Sequence, residues 1–161
     1  ILQACDAVPD GSRAACYRGI GKQSMGRFPE RPDSVVRVCA RASGSHSADC
    51  IGGIVEFWVD QEWKADSAFA FCAGVPAGMK EGCYRAIGER IAWIDPAPAA
   101  LRATCAAAGA FAATCLTAAE NEHAGDARPR AASSPPPASP APRPATTRPG
   151  TPPTPHHHHA P

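Results

Sequence analysis

The eight cysteines of this 161-residue chain recur in a fixed register, and this register constrains the fold more than any other feature. The first cysteine of each pair follows the previous one by 34, 33 and 33 residues, and the second by 34, 33 and 32. Ten residues separate the cysteines in three pairs, and nine in the fourth. The pairs are Cys5 and Cys16, Cys39 and Cys50, Cys72 and Cys83, and Cys105 and Cys115. A constant period of this size predicts four copies of one supersecondary unit.

The number of cysteines also indicates a compartment. Cytosolic thiols are kept reduced, so this density is typical of an oxidising environment or of metal sites. The chain has no Cys-x-x-Cys motif, which would be expected of a zinc knuckle or a thioredoxin-like pair. We therefore predict a secreted, periplasmic or cell-surface protein in which all eight cysteines form disulfides. Ile1 is interpreted as the start of a mature form or a fragment, so the targeting signal is expected upstream.

Two pairings of the cysteines are compatible with the repeat. If each ten-residue spacer lay in one continuous helix, its two sulfurs would differ by about 20° and could cross-link neighbouring helices. The coiled-coil-helix proteins with twin Cys-x9-Cys motifs are built in this way. Glycine and proline inside the spacers, such as Pro9 and Pro76, would break such helices. The sequence therefore favours a local bridge within each pair, and closing a loop of about eleven residues contributes on the order of 2–3 kcal/mol.

Helix caps and breakers place two helices in every copy. Asp95, followed by proline, is a typical helix start, and the alanine-rich segment 96–108 is expected to end at Gly109. A similar helix is expected over 33–42, and Asp49 is expected to cap the next one. Each copy then has a short helix ending at its first cysteine, a turn, and a second helix beginning at its second cysteine. The predicted fold class is all-α: a four-copy, α-solenoid-like array of helical hairpins with one disulfide per repeat.

Apolar side chains at helical spacing are expected to form the core. Two stripes follow this spacing: Ile51, Ile54, Val55 and Trp58, and then Tyr84, Ile87, Ile91 and Ile94. The other aromatic side chains are assigned to the same core, although one or two exposed ones would form a binding patch: Trp63, Trp93, Phe57, Phe69 and Phe71. Gly19, Gly53 and Ala86, three residues after each second cysteine, are expected to let adjacent helices approach closely.

The residues after the second cysteines repeat as well. Cys16-Tyr-Arg-Gly-Ile-Gly21 returns as Cys50-Ile-Gly-Gly-Ile-Val55 and as Cys83-Tyr-Arg-Ala-Ile-Gly88. A period near 34, paired helices and this small-residue pattern resemble tetratricopeptide and Sel1-like repeats, particularly those with one disulfide per repeat. The resemblance covers residues 1–124, and it implies a solenoid geometry and a general binding role.

The last part of the chain has a different composition. Twelve of the 18 prolines lie between Pro129 and Pro161, and no apolar side chain larger than alanine follows Leu116. We therefore predict a repeat domain over residues 1–124 and a disordered tail over residues 125–161, rich in Pro, Ala, Thr and Ser. The tail contains the tract His156, His157, His158 and His159. Adjacent imidazoles can bind Cu, Ni or Zn weakly, although a flexible tract lacks a preformed geometry.

Catalytic chemistry finds no support in the sequence. It contains no nucleophile elbow, zinc-protease helix, phosphate-binding loop or dinucleotide fingerprint, so we expect a non-enzymatic protein without a cofactor. Residues 1–124 carry 12 basic and 14 acidic side chains, which argues against a nucleic-acid partner. No apolar run is long enough to predict a membrane span. His46 is expected to lie exposed in a turn, and four acidic residues are interpreted as a solvated face: Glu56, Asp60, Glu62 and Asp66.

These features predict a secreted or cell-surface helical module that binds a protein or peptide partner or acts as a structural spacer. Two alternatives are an extracytoplasmic metal-handling protein that uses the histidine tract and a non-catalytic part of a larger secreted enzyme. The repeated Tyr-Arg pairs are the candidate partner-binding residues, because tyrosine and arginine are enriched at binding hot spots: Tyr17, Arg18, Tyr84 and Arg85. The competing interpretation places both tyrosines in the core and both arginines in solvent.

Overall fold

The computed structural model of the chain describes residues 2–126, apart from the side chains at positions 123 and 126. Over these residues the secondary structure is entirely helical, which confirms the predicted all-α class. The elements are α1 (Leu2–Asp6), α2 (Asp10–Arg27), α3 (Pro32–Cys39), α4 (His46–Glu62), α5 (Asp66–Gly74), α6 (Ala77–Ile91), α7 (Pro98–Cys105), a 3₁₀ helix (Ala106–Phe111) and α8 (Ala112–Asp126). Nearly all of the predicted tail, including its histidine tract, lies outside the described residues.

Each cysteine pair forms its own disulfide, as the repeat predicts. The Cα–Cα distances are 5.6 Å for Cys5–Cys16, 5.4 Å for Cys39–Cys50, 5.7 Å for Cys72–Cys83 and 5.6 Å for Cys105–Cys115. Each bridge joins a short helix (α1, α3, α5 or α7) to the long helix that follows it (α2, α4, α6 or α8). The local pairing is therefore confirmed, and the continuous-helix alternative is wrong.

The long helices begin earlier than the sequence predicts. Helices α2 and α6 start at Asp10 and Ala77, six residues before their cysteines. Pro9 and Pro76 immediately precede these helices, where a missing backbone N–H leaves no helical hydrogen bond unmade. The prolines therefore end the preceding turn instead of occupying its middle. The connections shrink to three residues between α1 and α2 and to two between α5 and α6.

Two of the predicted caps are also wrong. Helix α4 begins at His46, and Asp49 lies in its first turn, where Oδ2 is 2.8 Å from Nδ1 of His46. Helix α7 begins at Pro98, whereas Asp95 accepts a hydrogen bond from the backbone N–H of Ala97 in the turn before it. The Asp49 carboxylate lies beside the first residue of α4, and the Asp95 carboxylate accepts a hydrogen bond from the backbone just before α7. Aspartate side chains often form such local hydrogen bonds near helix starts instead of capping the helix.

The two predicted apolar stripes do form the core. Their innermost members are fully buried, and Tyr84 and Ile91 are nearly so. Trp58 and Ile94, the last residue of each stripe, are half-buried against the core. Seven of the eight cysteines are buried in the same cluster. The disulfides thus share one apolar interior with the stripes of the long helices.

The long helices pack side by side in chain order. Helix α4 contacts α2 and α6, and α6 also contacts α8. Arg18 of α2 pairs with Glu56 of α4, and Lys22, one turn later, pairs with Asp60. Contacts that advance together along both helices show that α2 and α4 are parallel. Whether the copies continue this arrangement into a curved solenoid stays a prediction.

Glycines set the distance between the long helices. A Cβ atom on Gly53 would lie 1.9 Å from the carbonyl oxygen of Arg18, and one on Gly21 would lie 1.9 Å from that of Cys50. Such distances leave no room for a side chain, so α2 and α4 meet backbone to backbone. Of the three small residues predicted to allow this approach, Gly53 does so and Ala86 is buried, but Gly19 faces open space.

One helical stretch, Pro98–Glu122, is long and apolar enough by composition to cross a membrane, with a mean hydropathy of 1.4. Its two halves are not collinear, however. Gly109 has φ 57° and ψ −117°, which no helical residue adopts, and the chain reverses there. The bridge between Cys105 and Cys115 then holds α7 against α8. The stretch is a closed helical hairpin in this structure.

The glycine contacts predict opposite effects for two alanine substitutions. Gly53→Ala should destabilise the protein by about 1–3 kcal/mol or more, because the methyl group overlaps the backbone of α2. Gly19→Ala should stabilise it by about 0.5–1 kcal/mol, because alanine is the better helix former and nothing obstructs its methyl group. Urea unfolding with all disulfides intact measures both changes. Equal stabilities for the two variants would contradict the close approach of α2 and α4.

Candidate functional site

The tyrosine component of the predicted binding surface is wrong. Tyr17 is fully buried, and its ring stacks on His46 at a centroid distance of 4.8 Å. Its hydroxyl donates a hydrogen bond of 2.5 Å to Asp6 and lies 3.1 Å from the hydroxyl of Ser43. Helix α2 provides Tyr17, whereas His46 belongs to α4 of the next copy. The tyrosine therefore joins two copies, and its side chain cannot reach a partner.

Tyr84 plays the same part in the third copy. It is buried and stacks on Phe111 of the fourth copy, with a centroid distance of 4.9 Å and an interplanar angle of 13°. The arginines that follow the two tyrosines differ from each other. Arg18 is partly buried in ion pairs, whereas Arg85 is about half exposed, 3.7 Å from Glu89. A surface made of both Tyr-Arg pairs does not exist.

His46 is not an exposed turn histidine, as the sequence suggests, because it opens α4 and is packed between Tyr17 and Asp49. The Ser43 hydroxyl donates to Asp6 at 2.6 Å. This bond and the one from Tyr17 lower the pKa of Asp6 below its ordinary value. Ser43 thus contacts Asp6 and Tyr17, so the serine, histidine and aspartate present do not form a nucleophile–base–acid relay. Asp6, Tyr17, Ser43 and His46 thus form a polar cluster that connects the first two copies.

The supposed solvated acidic face is largely an ion-pair network across three long helices. Arg18 of α2 donates to Glu56 of α4 at 3.1 Å and to Glu89 of α6 at 2.9 Å. Asp60 of α4 accepts from Lys22 at 2.8 Å and from Nε of Arg90 at 2.6 Å. The acidic side chains are thus neutralised by basic ones from neighbouring helices. Glu62 and Asp66 lie outside the network, and Glu62 accepts from Ser67 at 2.5 Å.

Asp60 is the most strongly bonded acid of the network. Its partial burial alone would raise the pKa, but the hydrogen bonds from Lys22 and Arg90 and their positive charges lower it below the ordinary value of 3.8. For Arg18, burial opposes the charged form, yet Glu89 and Glu56 raise the pKa of the guanidinium. Each group is held in its charged form, so neither is available to exchange protons near neutral pH. The network is structural in character.

Two aromatic side chains assigned to the core are exposed instead. Trp63 is 75% exposed and Trp93 is 54% exposed, whereas the other four, Phe57, Trp58, Phe69 and Phe71, pack against the core. The indole nitrogen of Trp93 donates to Glu122 at 3.3 Å, which gives this side chain a role in the fold. Trp63 has no such contact among the described hydrogen bonds, and it is the strongest candidate for an external one.

A groove of about 380 Å³ opens beside Trp63. Its apolar walls come from α5, the end of α6, the connection that follows α6, and α7: Phe69, Ile91, Ile94 and Leu101. Lys64, Asp66 and Asp95 lie at the groove as charged groups. A concave apolar surface with a few polar groups is the usual form of a binding site for a small molecule or a short peptide. We call it the aromatic groove.

The backbone conformation of Trp63 is unusual for so large a side chain. This residue caps the end of α4 in the left-handed conformation, with φ 53° and ψ 29°, and its N–H donates to Val59. Glycine is the usual residue at this position, and a bulky side chain there costs about 1 kcal/mol or more. Because the indole is largely exposed, its burial stabilises the fold little. Trp63 therefore has neither a conformational nor a packing reason to be tryptophan.

The described residues offer no obvious place for a metal ion. No group of three or more His, Cys, Asp or Glu side chains among them is arranged to hold one. The histidine tract, His156–His159, lies outside the described residues. In comparisons with protein-family models, curated proteins and solved structures, nothing matches this chain. The likeness to tetratricopeptide and Sel1-like repeats therefore stays a resemblance, and function has to be inferred from the geometry.

The lowered pKa of Asp60 predicts a loss of stability in acid. A carboxylate whose pKa falls on folding stabilises the protein above its unfolded pKa, and this contribution disappears as the pH drops through the folded pKa. Asp60→Asn should therefore cost about 1 kcal/mol at pH 7, with screening limiting the loss, and nothing once the carboxyl is protonated. Unfolding free energies measured from pH 7 to below pH 3 test this.

The matched control is Asp33→Asn, which changes an exposed aspartate that makes no described ion pair. Its unfolding free energy at pH 7 should fall by less than that of Asp60→Asn, because no ion pair is lost. Equal losses for the two variants at pH 7 would contradict the ion-pair assignment.

Proposed function

We propose that this chain is an extracytoplasmic helical module that binds a peptide segment of a partner protein in the aromatic groove. Four intramolecular disulfides indicate an oxidising environment. Secretion or surface display follows from this as part of the proposal. The single observation that carries the binding role is Trp63, an exposed indole at a position where the fold itself favours glycine.

The groove fits a peptide better than a compact ligand. Its lining extends over α5, the end of α6, α7 and the connections beside them, and it is a groove open to solvent and not an enclosed cavity. Tryptophan supplies a large contact area with little conformational entropy to lose, which is why it is enriched at binding hot spots. Lys64, Asp66 and Asp95 would pair with polar backbone or side-chain groups of the bound segment. An apolar side chain of the peptide would pack against the wall formed by Ile91, Ile94 and Leu101.

A structural spacer is the main competing role. A spacer needs a rigid fold, which the bridges supply, but it gains nothing from an exposed tryptophan beside an open groove. Metal handling depends on the histidine tract, and membership of a larger secreted enzyme depends on other domains; no observation on the described residues favours either. Peptide binding is the role that uses a feature left unexplained by the fold.

Trp63→Gly should separate stability from binding. Glycine removes the strain of the left-handed backbone, so the unfolding free energy should rise by about 1 kcal/mol. Peptides selected on the oxidised parent from a random peptide-display library should include a class that binds the aromatic groove, and loss of the indole should abolish binding of that class. Thermal unfolding and fluorescence anisotropy measure the two effects.

Two controls make the result specific. Trp63→Ala keeps the left-handed strain, so it should lose binding without gaining stability. Trp93→Ala removes the other exposed indole, which lies outside the aromatic groove, and should leave binding unchanged. The proposal is wrong if every class of selected peptides binds Trp63→Ala as tightly as the parent.

A further inference from the structure

A second exposed apolar surface lies at the other end of the described chain, between α2 and α3. It is a groove of about 290 Å³, lined by Phe28, Val35, Val38, Arg31 and two serines. Phe28 is 48% exposed and Val38 is 37% exposed, whereas Val35 is buried and forms the floor. The lining is therefore mainly apolar. It requires no residue of the aromatic groove.

The groove continues past Val38 toward α1. A neighbouring groove is lined by Leu2, Gln3, Val38 and Arg41, so Val38 belongs to both. One apolar strip thus runs from Phe28 through Val38 to Leu2. Arg31 lines the first of these two grooves and Arg41 lines the second. We call this strip with its two arginines the basic-rimmed groove.

The charges around the groove are unusual for this protein. Arg31, Arg37 and Arg41 are exposed, and none makes an ion pair within the described part of the chain. Arg37 donates to the hydroxyl of Ser34, a groove residue, at 2.9 Å. Four other basic side chains lie in residues 1–60. By contrast with the groove arginines, three of these four form ion pairs, and only Arg27 does not: Arg13, Arg18 and Lys22. The arginines beside the groove therefore have no carboxylate partner among the described residues.

The local charge opposes that of the rest of the domain. Residues 27–41 contain four arginines, Glu30 and Asp33, a net charge of +2. The remainder of residues 1–124 carries eight basic and twelve acidic side chains. A positively charged apolar groove on an otherwise acidic domain attracts an acidic ligand and orients it during association.

We propose that the basic-rimmed groove binds an acidic segment of a partner protein that carries one or two large apolar side chains. The apolar side chains would contact Phe28 and Val38, and the flanking carboxylates would pair with Arg31 and Arg41. Guanidinium groups suit this role, because they form paired hydrogen bonds with carboxylates. A concave groove accepts protruding side chains, whereas a membrane surface is better matched by protruding apolar groups, and a uniform polyanion does not need the apolar floor.

Peptide-display selection on the oxidised full-length chain tests the proposal. A class of peptides should be recovered in which Asp or Glu flank Leu, Phe or Met. Arg31→Glu combined with Arg41→Glu should lower the affinity of these peptides by at least about tenfold, because attraction becomes repulsion at two contacts. Arg31→Gln with Arg41→Gln should have a smaller effect of the same sign. Phe28→Ala should weaken the same peptides.

The controls identify the site. Arg102→Glu reverses an exposed arginine on α7 that lines neither groove, so it should leave the affinity unchanged. Trp63→Ala should also leave it unchanged, which separates this site from the aromatic groove. Circular dichroism and free-thiol titration confirm that every variant is folded.

Three results would overturn the proposal. The first is the absence of an acidic, apolar class among the recovered peptides. The second is equal binding of that class to the parent and to both arginine double variants. The third is tighter binding, dependent on Arg31 and Arg41 but not on Phe28, to phosphatidylserine-containing vesicles or to a heparin oligosaccharide, since that result would assign the surface to a membrane or a polyanion.

Discussion

The disulfides are the interaction on which the rest of the structure depends, because the short helices bury too little to hold themselves in place. Helix α1 buries only Cys5, and α7 buries Leu101 and Cys105. Helix α3 buries the most, Val35, Val36 and Cys39. Burial of one to three side chains does not offset the conformational entropy lost when a helix of five to nine residues is ordered. A covalent bond to the following long helix removes part of that freedom from the unfolded chain, so ordering the short helix costs less conformational entropy.

This mode of attachment leaves the two sides of the domain different. The long helices meet at Gly21 and Gly53, and their ion pairs close the remaining space between them. The short helices are each fixed mainly to a long helix, so grooves remain beside and between them. Both proposed binding sites lie in these grooves. The same constraint that stabilises a small domain thus also creates its concave surfaces.

Features encoded within one copy could be predicted from the sequence. The period of the cysteines and the breakers at Pro9 and Pro76 were sufficient for the pairing and for the all-α class. Of the contacts between copies, the sequence predicted the close approach at Gly53 but not the side-chain contacts. Tyr17 is buried because His46 of the next copy covers it, and Arg18 is paired because Glu89 approaches from 71 residues away. No local pattern announces either contact.

The sequence could not single out Trp63 as a binding residue for a related reason. An exposed aromatic residue and a buried one have the same local sequence signal, and only the backbone shows that α4 ends at Trp63 in a left-handed cap. The basic-rimmed groove could not be predicted either, because it forms only when α1, α2 and α3 are placed together. Four arginines between residues 27 and 41 are visible in the sequence, but their lack of ion-pair partners is not.

Amide hydrogen exchange, measured by mass spectrometry on the oxidised parent and on the variant Cys72→Ala with Cys83→Ala, tests most directly whether the disulfides order the short helices. If the bridge is what orders α5, amides of Asp66–Gly74 should exchange in the variant nearly as fast as in an unstructured peptide. Amides of α4, packed against α2 through Gly53, should keep their protection. Parental protection of α5 without its bridge would contradict the central role of the disulfides.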